Sequence, residues 1–198
     1  DKIKDLTIID DQRPTTEKRY YISENYRLLK VDKVENSPIS SEILNKICHN
    51  IKKQKKGIII FSDFRHGIFS VESIKKLKNS INKNVFKVGD SQVASRWGNI
   101  LDFSGFDLIT PNEKEARFAL ADQDSSIRPL ASKLYDKSKC KTLIFKLGSK
   151  GILTLRRKMK KNDMRSFFVI DALEDNATDP VGCGDALISY ASLGLYLS

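Results

Sequence analysis

Cysteine is scarce: Cys48, Cys140 and Cys183 are the three in 198 residues, an odd number at wide spacing. No C-x-x-C pair occurs, and histidine is confined to His49 and His66. These shortages argue against a disulfide framework and a structural zinc site, and point to a reducing, cytoplasmic setting. Long apolar runs are missing too. Ile58 to Phe61 is far short of the roughly 20 residues that span a bilayer. Asp1-Lys2-Ile3-Lys4-Asp5 leads into only a short apolar stretch, not a signal-peptide pattern. There is no internal repeat and no low-complexity segment. Asn176-Ala177-Thr178 matches a glycosylation sequon, but a match this short reads as coincidence.

What the chain does have is positive charge. Lys and Arg number 35 against 25 Asp and Glu, a formal +10. Such an excess suits nucleic acid or anionic small substrates. The lysines are scattered over amphipathic patterns, and no aromatic-interleaved basic stripe is visible, which favours the small substrates. The dense run Arg156 to Lys161 lies between two strand patterns and reads as a solvated hairpin tip.

The first thirty residues read as β: Asp5 to Asp10, Thr15 to Ser23 and Tyr26 to Val31, with Pro14 and Asn25 at turns. An α/β rhythm follows. Helices are expected from Ser40 or Ser41 to Lys55, from Ser70 to Ile81, after Asn112, over Ile127 to Tyr135 and from Gly182 onward. Between them come strands at Ile58 to Phe61, Asn84 to Val88, Phe106 to Thr110, Lys141 to Leu147, Ile152 to Leu155 and Phe167 to Ile170. This alternation predicts an α/β fold with a mostly parallel central sheet flanked by helices. Ligands in such folds bind beyond the carboxyl ends of the strands. Chemistry is therefore expected at Ser62 to Gly67, Pro111 to Glu115, Gly148 to Gly151 and Asp179 to Asp185.

In the last of these, Gly182-Cys183-Gly184-Asp185 opens a helix whose free N–H groups favour an anion. A carboxylate in that first turn can accept the proton of an attacking hydroxyl. The plainer alternative is Asp185 interacting with the helix dipole. Asn112 and Glu115 likewise have the spacing of a capping box, and Gly148 to Gly151 that of an ordinary hairpin turn. Trp97 reads as packing in a long connection. Cys48 and Cys140 read as small apolar residues, and Cys183 as a thiol exposed to helix N-terminal activation.

Asp179-Pro180-Val181-Gly182-Cys183-Gly184-Asp185-Ala186 resembles the C-terminal signature D-x-x-G-A-G-D of the ribokinase-like (PfkB) carbohydrate kinases, with Cys183 in the place of Ala. Three more segments fall in that family's order. Thr110 to Ala116 resembles its N-x-x-E element, Lys146 to Gly151 its T-x-G-x-x-G nucleotide turn, and Ser62 to Gly67 its S-D-Y-x-K-G element. Arg13 to Tyr20 and the T-P-N-E-K-E-A-R stretch are similar to the heptose-phosphate kinases, which precede a nucleotidylyltransferase in ADP-heptose synthesis.

The resemblance implies a ribokinase-like kinase acting with ATP and Mg²⁺ on a sugar or sugar phosphate, by similarity heptose 7-phosphate. It implies Asp185 as catalytic base and Gly182, Cys183 and Gly184 as anion hole. Asn112, Lys146, Gly148, Gly151 and Asp179 would meet the nucleotide, and Glu115 would serve Mg²⁺ through water. Asp63, His66, Lys18 and Arg19 would meet the sugar or its phosphate. His66 stands where the family has Lys, Lys146 where it has Thr, and Phe64 where it has Tyr. A catalytically weak or non-catalytic sugar- or nucleotide-binding domain of the same fold is the alternative.

Residues 1–33 are expected to form a β lid, able to pair across a homodimer, and 34–198 part of a kinase core. The family's N-terminal Gly-Gly-x-x-x-Asn motif and its adenine-enclosing helices have no counterpart in the chain. The resemblance thus implies the middle of a larger kinase domain, with a nucleotidylyltransferase as fused or separate partner.

Overall fold

The structure, a computed structural model, describes residues 3–24, 26–92, 99–156, 166–173 and 181–198. Asn25, Trp97, residues 157–161 of the basic run, the sequon at 176–178 and Asp179 lie outside the described residues. The chain divides into two compact units, Asp1–Lys53 with Arg65–Ile81 and Gln54–Phe64 with Asn82–Ser198.

The first unit carries an antiparallel ribbon of β1 (Glu17–Ser23) and β2 (Tyr26–Lys33), with a register shift between Tyr21 and Ile22. Every described residue of both strands is exposed. The strand expected at Asp5 to Asp10 is not formed. Asp5 Oδ1 instead accepts the Thr7 backbone N–H at 2.8 Å, and the Asp10 carbonyl accepts from Arg13 N at 3.1 Å. These local aspartate turns supply the bonds that a ladder would have made. Further on, the Arg13 guanidinium donates to the carbonyls of Ser37 (2.7 Å), Glu35 (2.9 Å) and His66 (2.8 Å), tying three loops together.

Helix α1 (Ser41–Lys53) is capped by Ser40, whose hydroxyl accepts from Ile43 N. Helix α2 (Val71–Ser80) starts with a reciprocal capping box between Ser70 and Ser73. The two helices pack together, with Leu44, Cys48, Ile74 and Leu77 buried.

The second unit is built on a six-stranded sheet in the order β3-β4-β5-β6-β7-β8. Strands β3 (Gly57–Asp63), β4 (Val85–Ser91), β5 (Leu108–Ile109) and β6 (Thr142–Lys146) run parallel. Strand β7 (Ile152–Arg156) runs antiparallel to β6, and β8 (Phe167–Ile170) runs antiparallel to β7. The helices are α3 (Glu113–Leu120), α4 (Ile127–Ser138) and α5 (Cys183–Leu197).

On one face of the sheet, Val88, Leu108 and Ile144 form a core with Ile188 of α5. Side chains alternate between faces. On the other face Phe61 meets Phe103 and Phe106 edge-on, at 6.0 and 5.4 Å between ring centroids. Helix α4 packs against β6 and β7. Among the described residues, no helix is long and apolar enough to cross a membrane.

Candidate functional site

The carboxyl ends of β4, β5 and β6 lie side by side, and polar side chains gather there because each strand stops at a residue that leaves its apolar run. Asp90 ends the run of β4, Thr110 follows β5, and Lys146 closes β6. Asp90 and Thr110 are buried. Asp90 Oδ1 accepts from the Thr110 hydroxyl at 2.8 Å and from the Lys146 ammonium at 2.9 Å. A Cβ placed on Gly184, in the first turn of α5, would lie 3.8 Å from that ammonium.

Helix α5 begins after Gly182, whose φ of 86° is left-handed. Only glycine takes that conformation without strain, so the G-C-G sequence sets the direction from which the helix starts. Gly182, Cys183 and Asp185 are exposed, and Gly184 is half-buried. A helix N-terminus and an ammonium thus meet at the carboxyl edge of the sheet, with the exposed Asp185 one residue further along the same helical turn.

Asn112 and Glu115 form a full capping box at the start of α3. Asn112 Oδ1 accepts from Glu115 N at 2.9 Å, while the Glu115 carboxylate accepts from Asn112 N at 2.8 Å and from Asn112 Nδ2 at 2.7 Å. Pro111 O accepts from Lys146 N, which sets α3 beside β6. Burial pushes the Glu115 carboxyl up to about 7, and the nearby Lys146 charge and the Asn112 bonds only partly offset it. Both Glu115 oxygens are engaged and the side chain is buried, so direct coordination of Mg²⁺ does not fit. Each oxygen keeps a second lone pair, and a contact through water does fit.

The nucleotide turn expected at Gly148 to Gly151 is a single tight turn between β6 and β7. Leu147 N donates to Gly151 O at 2.9 Å, and Gly151 N to Gly148 O at 3.0 Å. Gly151 has φ 83°, and a Cβ there would meet Ile170 O at 2.1 Å, so no side chain fits.

Asp63 ends β3 and is buried. Its register partner is Ser91, and alternation from Phe61 places it on the opposite sheet face from Val88 and Asp90. The structure therefore does not bring Asp63 onto the face of Lys146.

The other expected sugar contacts belong to the first unit. His66 Nδ1 lies 3.3 Å from the Thr16 hydroxyl. Burial lowers the His66 pKa, and the Lys18 and Arg13 charges add to this against Asp32. His66 is consequently poorly suited to replace a fixed cation at neutral pH. Lys18 and Arg19 are neighbours on a strand and point to opposite faces of the ribbon. Lys18 lies on the face with its partner Asp32, whereas Arg19 pairs with Glu17 at 2.6 Å. Residue-by-residue reading missed Asp90. Its position at the end of an apolar strand run was the available signal.

A model of the pfkB family of carbohydrate kinases matches residues 5–194. Among curated relatives, the bifunctional protein HldE of Aliarcobacter butzleri is 26% identical over 98% of this chain and 40% of its own length. A crystal structure of phosphofructokinase-2 from Escherichia coli in complex with potassium superposes with TM-score 0.65 at 18% identity, over 86% of this chain and 53% of that one. Ribokinase from Thermotoga maritima gives TM-score 0.64 at 20% identity, over 93% and 57%. The chain thus spans about 40% of the length of the curated relative and little more than half of the solved kinases. The fold is ribokinase-like, and the chain belongs to the pfkB family of carbohydrate kinases.

Proposed function

We propose that this member of the pfkB family transfers the γ-phosphoryl group of ATP, with Mg²⁺, to a hydroxyl of a sugar or sugar phosphate. Heptose 7-phosphate is the acceptor favoured by the motif resemblance. The observation that carries the reading is the meeting of the Lys146 ammonium with the first turn of α5, 3.8 Å from a Cβ on Gly184, beside the exposed Asp185.

Asp185 takes the proton from the sugar hydroxyl as that oxygen attacks the γ-phosphorus. The bond to the β-phosphate oxygen breaks, and ADP leaves. The N–H groups of Gly182 to Gly184 and the Lys146 ammonium stabilise the charge on the transferring group. Mg²⁺ supplies charge neutralisation of the phosphates. Glu115, fixed by Asn112, orients water toward it, and the turn from Gly148 to Gly151 receives the nucleotide with Asp179. By the motif resemblance the sugar side would draw on Lys18 or Arg19, which face opposite ways, with the β1–β2 ribbon as a lid; the lowered pKa of His66 and the sheet face of Asp63 count against those two. The ribbon's exposed Tyr21, Ile22 and Leu29 support pairing with a second copy. The relative's name, a bifunctional protein, supports a second activity beside the kinase, which the motif resemblance makes a nucleotidylyltransferase. Three unpaired cysteines support a cytoplasmic setting for the reaction.

Asp185→Asn is the test, read as ATP-dependent phosphorylation of a sugar panel by the full chain. The expected loss is about 10²–10⁴-fold with folding retained; undiminished turnover overturns the mechanism. The lowered pKa of His66, which leaves no fixed cation at that position, favours a second reading, a binding domain with little catalysis. Nucleotide binding without turnover in the wild type selects it.

A further inference from the structure

We propose that Asp90 is a positioning residue for phosphoryl transfer, holding the Lys146 ammonium at the first turn of α5. This inference rests on the kinase reading above.

Lysine is a poor choice for a fixed contact unless something fixes it, because its four-carbon stem carries a strongly hydrated point charge. Here the stem leaves the end of β6, and the ammonium is found at Asp90 Oδ1, 2.9 Å away. The two side chains are largely withdrawn from water, 19% exposed for Lys146 and 10% for Asp90. In such a setting, removal of either partner leaves the other charge poorly solvated.

Asp90 is itself oriented. The Thr110 hydroxyl donates to the same Oδ1 at 2.8 Å, so one oxygen gathers donors from the ends of β5 and β6 onto the end of β4. The register gives this a direction: Asp90 shares the sheet face of Val88, the face on which α5 lies. The network therefore opens toward the helix N-terminus and away from the apolar core.

An ammonium has three donors. Asp90 takes one, and among the described residues no other hydrogen-bond partner of the Lys146 ammonium is found. Asp90 thus fixes where the cation stands and leaves it donors for an incoming phosphate oxygen. The pair also stands at the carboxyl edge of the sheet, where ligands of such folds bind.

The test uses the full chain with Asp90→Asn, Lys146→Met and both together. The expected result for either single variant is a rise of about tenfold in KM for ATP, the scale of one charge-assisted hydrogen bond, with a smaller fall in kcat. If Asp90 acts through Lys146, the double variant is no worse than Lys146→Met. Multiplied effects overturn the proposal.

A second measurement is independent of turnover. In protein carrying ¹⁵N-lysine, the Lys146 ammonium signal, recognised by its absence in Lys146→Met, is expected to vanish in Asp90→Asn and to shift with ATP in the wild type. A signal unchanged by Asp90→Asn, or indifferent to ATP, overturns the proposal. The wild-type titration decides even if the Asn variant does not fold. An ATP-responsive, Asp90-dependent signal in a protein without turnover supports the positioning and overturns the kinase reading instead.

Discussion

The β1–β2 ribbon and the carboxyl edge of β4, β5 and β6 use similar residues in opposite surroundings. In the ribbon Arg19 meets Glu17 at 2.6 Å, Lys30 meets Asp32 at 2.8 Å, and the Arg27 guanidinium lies 4.5 Å over the Tyr20 ring, all in open water. At the sheet edge Lys146 meets Asp90 at much the same distance, with both side chains largely covered. Exposed pairs of the first kind contribute about 0–1 kcal/mol, because water and salt screen them. In the second kind, loss of one partner strands the other charge away from solvent. The lesson is that in this chain the charge count says little, and the location of each charge says nearly everything. The ribbon's apolar side chains gain equally little. Leu28 is 64% exposed, while Leu108 in the sheet is fully buried.

The most direct way to break that contrast is a matched pair of truncations followed by urea denaturation. Leu108→Ala is expected to cost about 2–5 kcal/mol through lost transfer energy and a residual cavity. Leu28→Ala is expected to stay within about 0.5 kcal/mol. Comparable costs would mean that the ribbon is buried in solution.

Next in size comes the buried Glu115. Its carboxyl is raised from 4.5 to about 7 in the folded chain, so the folded state holds that proton more tightly than the unfolded state does. The resulting stabilisation is fully present below about 4.5 and is lost as the pH climbs through about 7. The melting temperature of wild type relative to Glu115→Gln should therefore fall across this window. A pH-independent difference would show that the carboxyl keeps its ordinary acidity in the folded chain. The smallest effect belongs to Asn112→Ala, about 1 kcal/mol for the lost cap. At Ser40, which accepts one cap bond and receives none in return from position 43, the corresponding change should cost less.

Much of the α/β core was legible because its strands are uninterrupted apolar runs. Ile58 to Phe61 admits few other readings once Gly57 precedes it, and Phe167 to Ile170 forms β8 over that same span. Asp5 to Asp10 looked as strand-like as these, yet aspartates at both ends bond the neighbouring backbone, and Ile9 is left 77% exposed. Within the site, the capping box of Asn112 and Glu115 was legible because both partners sit on one helical turn. The Asp90–Lys146 pair was not, since 56 residues separate the two and only the parallel register brings their strand ends together. Lys18 and Arg19 were grouped by adjacency, and the twofold alternation of a strand is what separates them.

The sheet order has a kinetic consequence. From β3 to β8 each strand lies beside the one that precedes it in the chain, so no strand must be threaded between two already paired. A ribosome releasing this unit presents each new strand to an edge already formed. Loop-closure entropy is then spent in successive modest steps instead of one large one. The antiparallel β6–β7–β8 meander, with its tight turn at Gly148 to Gly151, is the most local part of the assembly. Hydrogen exchange in refolding chains should find it protected early. The edge that holds Asp90 and Lys146 is completed only when β4, β5 and β6 have docked in turn.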